Sequence, residues 1–385
     1  MADGALRAEQ EIGRINAFFP ILPQLGNMWA ARRPWEGMTV GLNLHLTTLT
    51  AGLVRELTLG GGTWVVSAAN SHTTDPSSVA LMRDLGVDVY PGGDRRNEPH
   101  LQLLEHKPQV IVDVGFELIE AALSAPTEVH DGVRGAIEIT RTGITRLRAA
   151  GPLPFPVVNI NDGRLKEAVE NRHGVGESIW QAVEGLTGMH LAGRRVCVVG
   201  YGPVGRGLAA YARARGCSVE VVEADSVRRL FAHYDGYPTT DLADAITRVG
   251  ILVTATGNNQ VISLDMLEGA RDGLVLINAG HGGDEIDTAA IAAAAANKDN
   301  VGEQVAVYQL ESGKRVVVLG DGHPLNIVLN SGSPEPVLLH FALLGLTLEW
   351  LATGSELPAE EVGVPADLEV RAAGAALAAL QRARG

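Results

Sequence analysis

The sequence predicts an α/β protein with two parallel sheets and a helical C-terminal segment. Three observations predict it. Short apolar runs alternate with helical stretches, one glycine-rich turn is wedged between two such runs, and the last sixty or so residues are rich in leucine and alanine. Up to residue 177 the runs 39–44, 62–68, 87–90 and 109–114 read as strands, with helices at 48–58 and 77–85 between them. Strands that are apolar throughout, separated by helices, belong to a parallel sheet covered on both faces. The runs 251–254, 274–278, 305–310 and 315–319 are the strands of a second part, 178–322. From 323 to 385 the chain reads mostly as helix, ending in the alanine-rich run 367–384. The apolar run 337–352 contains His340 and Glu349, so it reads as a buried or interface helix and not as a membrane span.

The turn is Val199-Gly-Tyr-Gly-Pro-Val-Gly205, set between the runs 196–199 and 218–222 and opening a helical stretch. Gly200 permits a tight turn, Gly202 lets backbone approach a pyrophosphate, and Gly205 lets the helix pack on the strand. The free amides of the helix N-terminus then face the phosphates. Glu223 closes the second strand about 20 residues on, where a carboxylate holds a ribose diol and disfavours a 2′-phosphate. Together these features read as a Rossmann NAD-binding domain. The expected organisation is a substrate domain made of 1–177 and 323–385, with the NAD-binding domain 178–322 inserted and a cleft between them.

Bulk properties narrow the classes. The chain has 385 residues, enough for two cores, and a net charge of −14, which argues against nucleic acid or an anionic membrane as partner. Cys197 and Cys217, the only cysteines, read as small core residues, and neither a disulfide framework nor a metal site is expected. The first residues lack a basic-then-apolar leader, which fits a cytoplasmic enzyme.

Four places can carry chemistry. Lys166 and Glu170 are four apart and share a helix face. Composition alone favours a solvated ion pair there; the alternative is a lysine, buried beside a cofactor, that orients or deprotonates an alcohol. His281 lies among glycines after the run 274–278, at the end of a strand that lines the ligand crevice of such folds. His45 and His323 hold similar positions after other strands, whereas His72 and His173 read as structural.

Taken together, these segments resemble S-adenosyl-L-homocysteine hydrolase. The matching pieces are Leu44-His-Leu-Thr47, Arg134-Gly-Ala-Ile-Glu138-Ile-Thr140, Val158-Asn-Ile-Asn-Asp162, Lys166 with Glu170-Asn171, Gly174-Val-Gly-Glu-Ser178, the turn through Gly207, Thr254-Ala-Thr-Gly257, Gly280-His281 with Glu285-Ile-Asp287, and Gly322-His-Pro324. They run in family order from about residue 40 to 330. The resemblance implies a bound NAD reused each turnover. In that cycle the ribose 3′-hydroxyl is oxidised, the acidified 4′-hydrogen is lost, the 5′-substituent leaves, water adds and the ketone is reduced. It implies that Lys166 and Glu170, with Asn171 beside them, serve the 3′-hydroxyl. It assigns His45 and His281 to proton transfer near the 4′- and 5′-carbons and puts His323 beside the base. It assigns NAD to Thr140, Arg141, Thr142, Gly200, Gly202, Pro203, Val204, Gly205, Glu223, Arg228, Thr256, Gly257, Ala279 and Gly280. A nucleoside substrate and a homodimer or homotetramer are implied with it.

The departures cluster by role. The glutamate two residues past the position of Thr47, which contacts adenine, is Leu49 here. The second aspartate after Asp113 is Val114, the ribose-binding glutamate after Glu138 is Ile139, and an asparagine near the nicotinamide is Val318. The family's usual aspartate is Glu170, and its lysine-and-tyrosine tail has no counterpart in these residues. The redox groups persist while adenine, ribose and leaving-group contacts change. That profile leads to an enzyme applying the same oxidation and elimination to another nucleoside, above all dehydration of an antibiotic-type, angustmycin-like nucleoside. The alternatives are a divergent S-adenosyl-L-homocysteine hydrolase and a non-catalytic NAD-binding regulator.

Overall fold

The structure, a computed structural model, describes residues 2–92, 98–280, 285–329, 331–354 and 356–382. It divides into two units, Met1–Glu167 with Pro334–Gly385, and Ala168–Ser333. The first holds β1 (Thr39–Leu44), β2 (Thr63–Ala68), β3 (Asp88–Tyr90), β4 (Val110–Asp113), β5 (Gly135–Glu138) and β6 (Val157–Asn159). A short strand, Glu361–Gly363, pairs with β6, and the parallel sheet runs from it through β6, β5, β4, β1 and β2 to β3. Strands β4, β5 and β6 are buried along their whole length, as helices on both faces require. The strand order reverses between β1 and β4, so the loops leaving their carboxyl ends flank a switch point.

The short strand lies in a stretch that reads as helix from sequence. Three residues give no usable periodicity, and its partners come from far along the chain: Arg148 and Asn159 bond Glu361. Two N-terminal helices, Ala2–Phe18 and Ile21–Arg32, pack on the helices Pro76–Asp84 and Thr48–Thr58. The apolar run lies within the helix Pro334–Thr353. That helix is long and apolar enough to cross a membrane, but every residue from 338 to 349 is buried in the unit. Its Glu349 receives Trp29 Nε1 at 3.3 Å and Arg32 at 2.8 Å.

The second unit holds β7 (Arg195–Val199), β8 (Ser218–Val222), β9 (Ile251–Thr254), β10 (Leu274–Asn278), β11 (Ala295–Gly302), β12 (Val305–Leu310) and β13 (Arg315–Leu319). Their order is β11-β12-β13-β10-β9-β7-β8. The β11–β12 and β12–β13 pairs are antiparallel, and the others are parallel. Strand β11, Ala-Ala-Asn-Lys-Asp-Asn-Val-Gly, shows no alternation and is exposed; its pairing with β12 makes it a strand. Alternate residues of β7 enter two cores: Val196 and Val198 one, Cys197 and Val199 the other. Cys217 is buried with the first, so both cysteines are core residues.

The units meet at Glu167/Ala168 and Ser333/Pro334, against 177/178 and 322/323 from the sequence. Packing explains the wider second unit. A Cβ on Gly176 would lie 2.6 Å from the Gly207 carbonyl carbon, so two helices touch backbone to backbone. His173 Nδ1 meets Tyr211 Oη at 3.1 Å, Leu325 is buried in the first core, and Ser331 donates to Ser178 O at 3.2 Å.

Candidate active site

In the first unit the switch point is flanked by the loops after Leu44 and Asp113. His45 is half-buried at the end of β1, its carbonyl accepting Thr50 Oγ1 at 2.6 Å and Thr47 N at 2.9 Å. Its Nδ1 lies 2.8 Å from Thr73 Oγ1, on the loop after β2. Thr47 is the N-cap of the helix Thr48–Thr58, its hydroxyl accepting Thr50 N at 3.4 Å. Leu49 lines a small apolar crevice with Ile12, Ile15, Leu22 and Leu338, where Asn16 and Thr48 are the polar members.

Val114 and Ile139 are both buried. Each follows a fully buried carboxylate, and these two acids, Asp113 and Glu138, are register partners on β4 and β5. Asp113 accepts Asn43 Nδ2 (2.8 Å), Val114 N (2.8 Å) and Ile119 N (2.7 Å). Glu138 accepts Gly115 N (3.1 Å), Phe116 N (2.8 Å) and Thr140 N (2.8 Å). Burial and the neighbouring Asp113 charge raise the Glu138 carboxyl well above the usual carboxylate range, and burial raises Asp113 as well, against the pull of these donors. The pair fixes the backbone of both loops that carry the altered substrate positions. In sequence Asp113 lies within the run 109–114 and Glu138 within the motif 134–140; their pairing across strands is visible only in the fold.

Thr140 ties the two loops together. Its hydroxyl donates to Glu138 at 2.7 Å and accepts Gly115 N and Gly143 N, each at 3.0 Å. One hydrogen and two lone pairs of the hydroxyl are thereby used, and it caps the helix Arg141–Ala149. Arg141 is exposed and pairs with Asp162 at 3.2 Å, and Thr142 is half-buried in the same first turn.

Lys166, Glu170 and Asn171 lie on a ten-residue π-helix, Lys166–Val175. In an i→i+5 ladder, residues four and five apart straddle the position one turn on, so Glu170 and Asn171 share the face of Lys166. Lys166 is buried at 8% exposure and Glu170 is half-buried, which removes the solvated ion pair as a reading.

In the second unit the order reverses between β7 and β9, and the glycine turn leaves β7 at that point. Gly200 has φ +98°, and a Cβ there would lie 2.6 Å from Ala255 O, at the end of β9. Gly205 packs on Gly200 O with no room for a side chain. Gly202 differs: the nearest atom to a Cβ is Arg228 Nη1 at 3.9 Å, so its backbone faces open space. Pro203 occupies the first turn of the helix Pro203–Ala214, where no amide is needed, and Val204 beside it packs on the core. Glu223, after β8, accepts Tyr201 N at 2.6 Å and Asp225 N at 2.9 Å. This bare cradle at a helix N-terminus, with a carboxylate beside it, fits a dinucleotide.

The loops after β9 and β10 are held by two groups whose role is not legible in the sequence. Glu285, 1% exposed, accepts Thr256 N, Thr256 Oγ1 (2.9 Å) and Gly257 N (2.7 Å), and lies against Gly280. Asn278, fully buried, donates to Gly322 O at 2.9 Å and accepts Gly280 N at 2.7 Å. Ala279 is buried between them, and His323 stands exposed beyond Gly322. Val318, which stands where the resemblance has an asparagine, is fully buried in the second core, on β13. His281 lies outside the described residues.

Residues 171–332 match the family model described as "S-adenosyl-L-homocysteine hydrolase, NAD binding domain". The chain is 36% identical to an S-inosyl-L-homocysteine hydrolase of Methanopyrus kandleri, over 92% of this chain and 86% of that one. It is 33% identical to a protein of the same name from Methanothermobacter thermautotrophicus, over 86% and 81%. An adenosylhomocysteinase of Thermococcus kodakarensis is 34% identical over 89% and 83%. Among solved structures, a dipicolinate synthase chain from Bacillus halodurans shares the fold, with a TM-score of 0.53, 13% identity, and coverage of 83% and 99%.

Proposed function

The chain belongs to the S-adenosyl-L-homocysteine hydrolase family as an NAD-binding enzyme, and from that premise we propose that it cleaves an S-nucleosidyl-L-homocysteine whose base lacks the 6-amino group of adenine. S-inosyl-L-homocysteine is the substrate that this reading favours. The observation that carries it is Leu49. Where the resemblance places an acid facing adenine, the chain has a leucine that lines an apolar crevice whose polar members, Asn16 and Thr48, are both uncharged. An amine without its acceptor loses about 1–3 kcal/mol. A 6-oxo group loses no partner by the change and escapes repulsion from a carboxylate. Two of the relatives named above are S-inosyl-L-homocysteine hydrolases.

Bound NAD supplies a reversible hydride acceptor for the sugar 3′-carbon. The turn Gly200–Gly205 and Glu223 hold it, with Arg228 beside Gly202 and the Thr256–Gly257 and Ala279–Gly280 loops at the neighbouring strand ends. Lys166 takes the proton of the 3′-hydroxyl, and Glu170 and Asn171 orient that hydroxyl and keep Lys166 charged when it has accepted. His45, with His281, moves the proton at the 4′-carbon. The C4′–H and C5′–S bonds break, and homocysteine leaves with a proton. Water adds its hydroxyl at C5′ and a hydrogen at C4′, and return of the hydride to C3′ and of the Lys166 proton to its oxygen restores the 3′-hydroxyl. The protein works as a homodimer or homotetramer.

A second reading is the loss of water from a hydroxymethyl group, as in an antibiotic-type nucleoside. The burial of Val114 and Ile139, at 4% and 6% exposure, favours it, because both stand where polar ribose and leaving-group contacts would be. The test is to incubate the protein with S-inosyl-L-homocysteine, S-adenosyl-L-homocysteine and hydroxymethyl nucleosides, following free thiol and product mass. At least tenfold higher kcat/KM for the inosyl thioether is expected. Equal rates for the two thioethers overturn the base assignment, and water loss without thiol release favours dehydration.

A further inference from the structure

We propose that Thr73 is a positioning residue that fixes neutral His45 with its proton on Nδ1, leaving the Nε2 lone pair as the base. The inference rests on the reading of His45 as a proton carrier. It follows from counting hydrogens. Thr73 Oγ1 lies 2.9 Å from Asn70 O and 2.8 Å from His45 Nδ1. A carbonyl oxygen only accepts, and two oxygens at that distance repel unless a hydrogen lies between them, so the hydroxyl hydrogen points to Asn70. The hydroxyl then has only lone pairs to offer His45, and the imidazole must donate from Nδ1. Neutral imidazole carries one N–H, which leaves Nε2 as the acceptor.

The arrangement is rigid for a reason visible in the backbone. Thr73 ends a short turn, Ser71–Thr73, on the loop after β2, the strand beside β1. That loop is tied to the His45 segment on both sides of the histidine: Ala69 N donates to Leu44 O at 3.0 Å, and Asp75 N to Leu46 O at 2.9 Å. Thr74 Oγ1 also donates to Asn70 O at 3.2 Å, and Asp75 caps the next helix through Ser77 N and Ser78 N. Thr50 Oγ1 holds the His45 carbonyl. The ring and its partner are thus fixed by neighbouring strand ends before any substrate arrives.

The test uses full-length protein labelled with 15N-histidine at pH 8.5, with His45→Asn to assign the signals. Ring-nitrogen shifts separate N–H from lone-pair nitrogens. The expected result is a protonated Nδ1 in the parent and in Thr73→Ser, and loss of that tautomer in Thr73→Val. Alongside it, exchange of the 4′-hydrogen of inosine in heavy water is expected to fall about 10- to 100-fold in Thr73→Val and to recover in Thr73→Ser. A lone-pair Nδ1 in the parent, or an unchanged spectrum in Thr73→Val, overturns the proposal. Parent-level exchange in His45→Asn overturns instead the reading of His45 as a proton carrier, while the spectrum still decides the Thr73 bond.

Discussion

Lys166 is a long cationic side chain with 8% of its surface exposed, on the first turn of a helix whose wide ladder puts Glu170 and Asn171 on the same face. A lysine is seldom buried without a task or a partner. Lys166→Ala is expected to abolish the reduction of bound NAD by substrate, with NAD affinity changed less than about threefold, and Glu170→Gln to lower it partially. NADH absorbance and cofactor titration check both, and a fully active Lys166→Ala would return the pair to a structural role. Glu138 makes a second expectation at this scale. Its folded pKa is raised, so the folded state binds the proton that the unfolded state releases above about 4.5. Its contribution is therefore complete below that pH and is lost as pH rises through its raised folded value. Stability should fall across this window by up to about 1.4 kcal/mol per pH unit for one proton. Glu138→Gln should flatten the profile, measured by denaturant unfolding at a series of pH values. An identical slope in the variant would mean that Glu138 is ionised in both states.

The loop between β7 and the helix Pro203–Ala214 shows how one element divides its work among three glycines. Gly200 and Gly205 are needed by the fold itself, since carbonyl oxygens of neighbouring segments occupy the space of a side chain. Gly202 is needed only by a ligand, because its open side meets no protein atom nearer than 3.9 Å. Gly202→Ala should therefore keep the parent's melting temperature while NAD affinity falls at least tenfold, whereas Gly205→Ala should lose both. Calorimetry with and without NAD separates the two, and unchanged NAD affinity in Gly202→Ala would exclude this turn as the pyrophosphate site. Strand β11 teaches the converse about elements: it has no signal of its own, and antiparallel pairing with β12 supplies its backbone hydrogen bonds.

At the scale of the molecule, each unit places its loops at a point where strand order reverses, His45 and Val114 in one, Gly200 and Thr256 in the other. The helix Ser226–Tyr234 leaves Val227, Leu230, Phe231 and Tyr234 between 45% and 80% exposed at helical spacing, an apolar face of the kind that contacts between protomers cover. Light scattering at micromolar concentration is expected to give a dimer or tetramer, and a monomer would contradict the proposed assembly.

The α/β class, the apolar strands and the glycine turn with its acid could all be read along the chain. These features are local: a run of apolar residues or a glycine spacing is complete within a few turns of backbone. Several strand limits, such as Thr39–Leu44 and Leu274–Asn278, match the apolar runs residue for residue, and the family was legible in the order of short motifs. The burial of Lys166, the saturation of the Thr140 hydroxyl, the core position of Val318 and the roles of Asp113, Glu138, Asn278, Glu285 and Thr73 emerged only from the folded chain. Each of these depends on a partner brought in from another strand end. A hydroxyl or carboxylate is a donor or acceptor in any sequence, but what it can still do depends on which of its hydrogens and lone pairs the fold has already used.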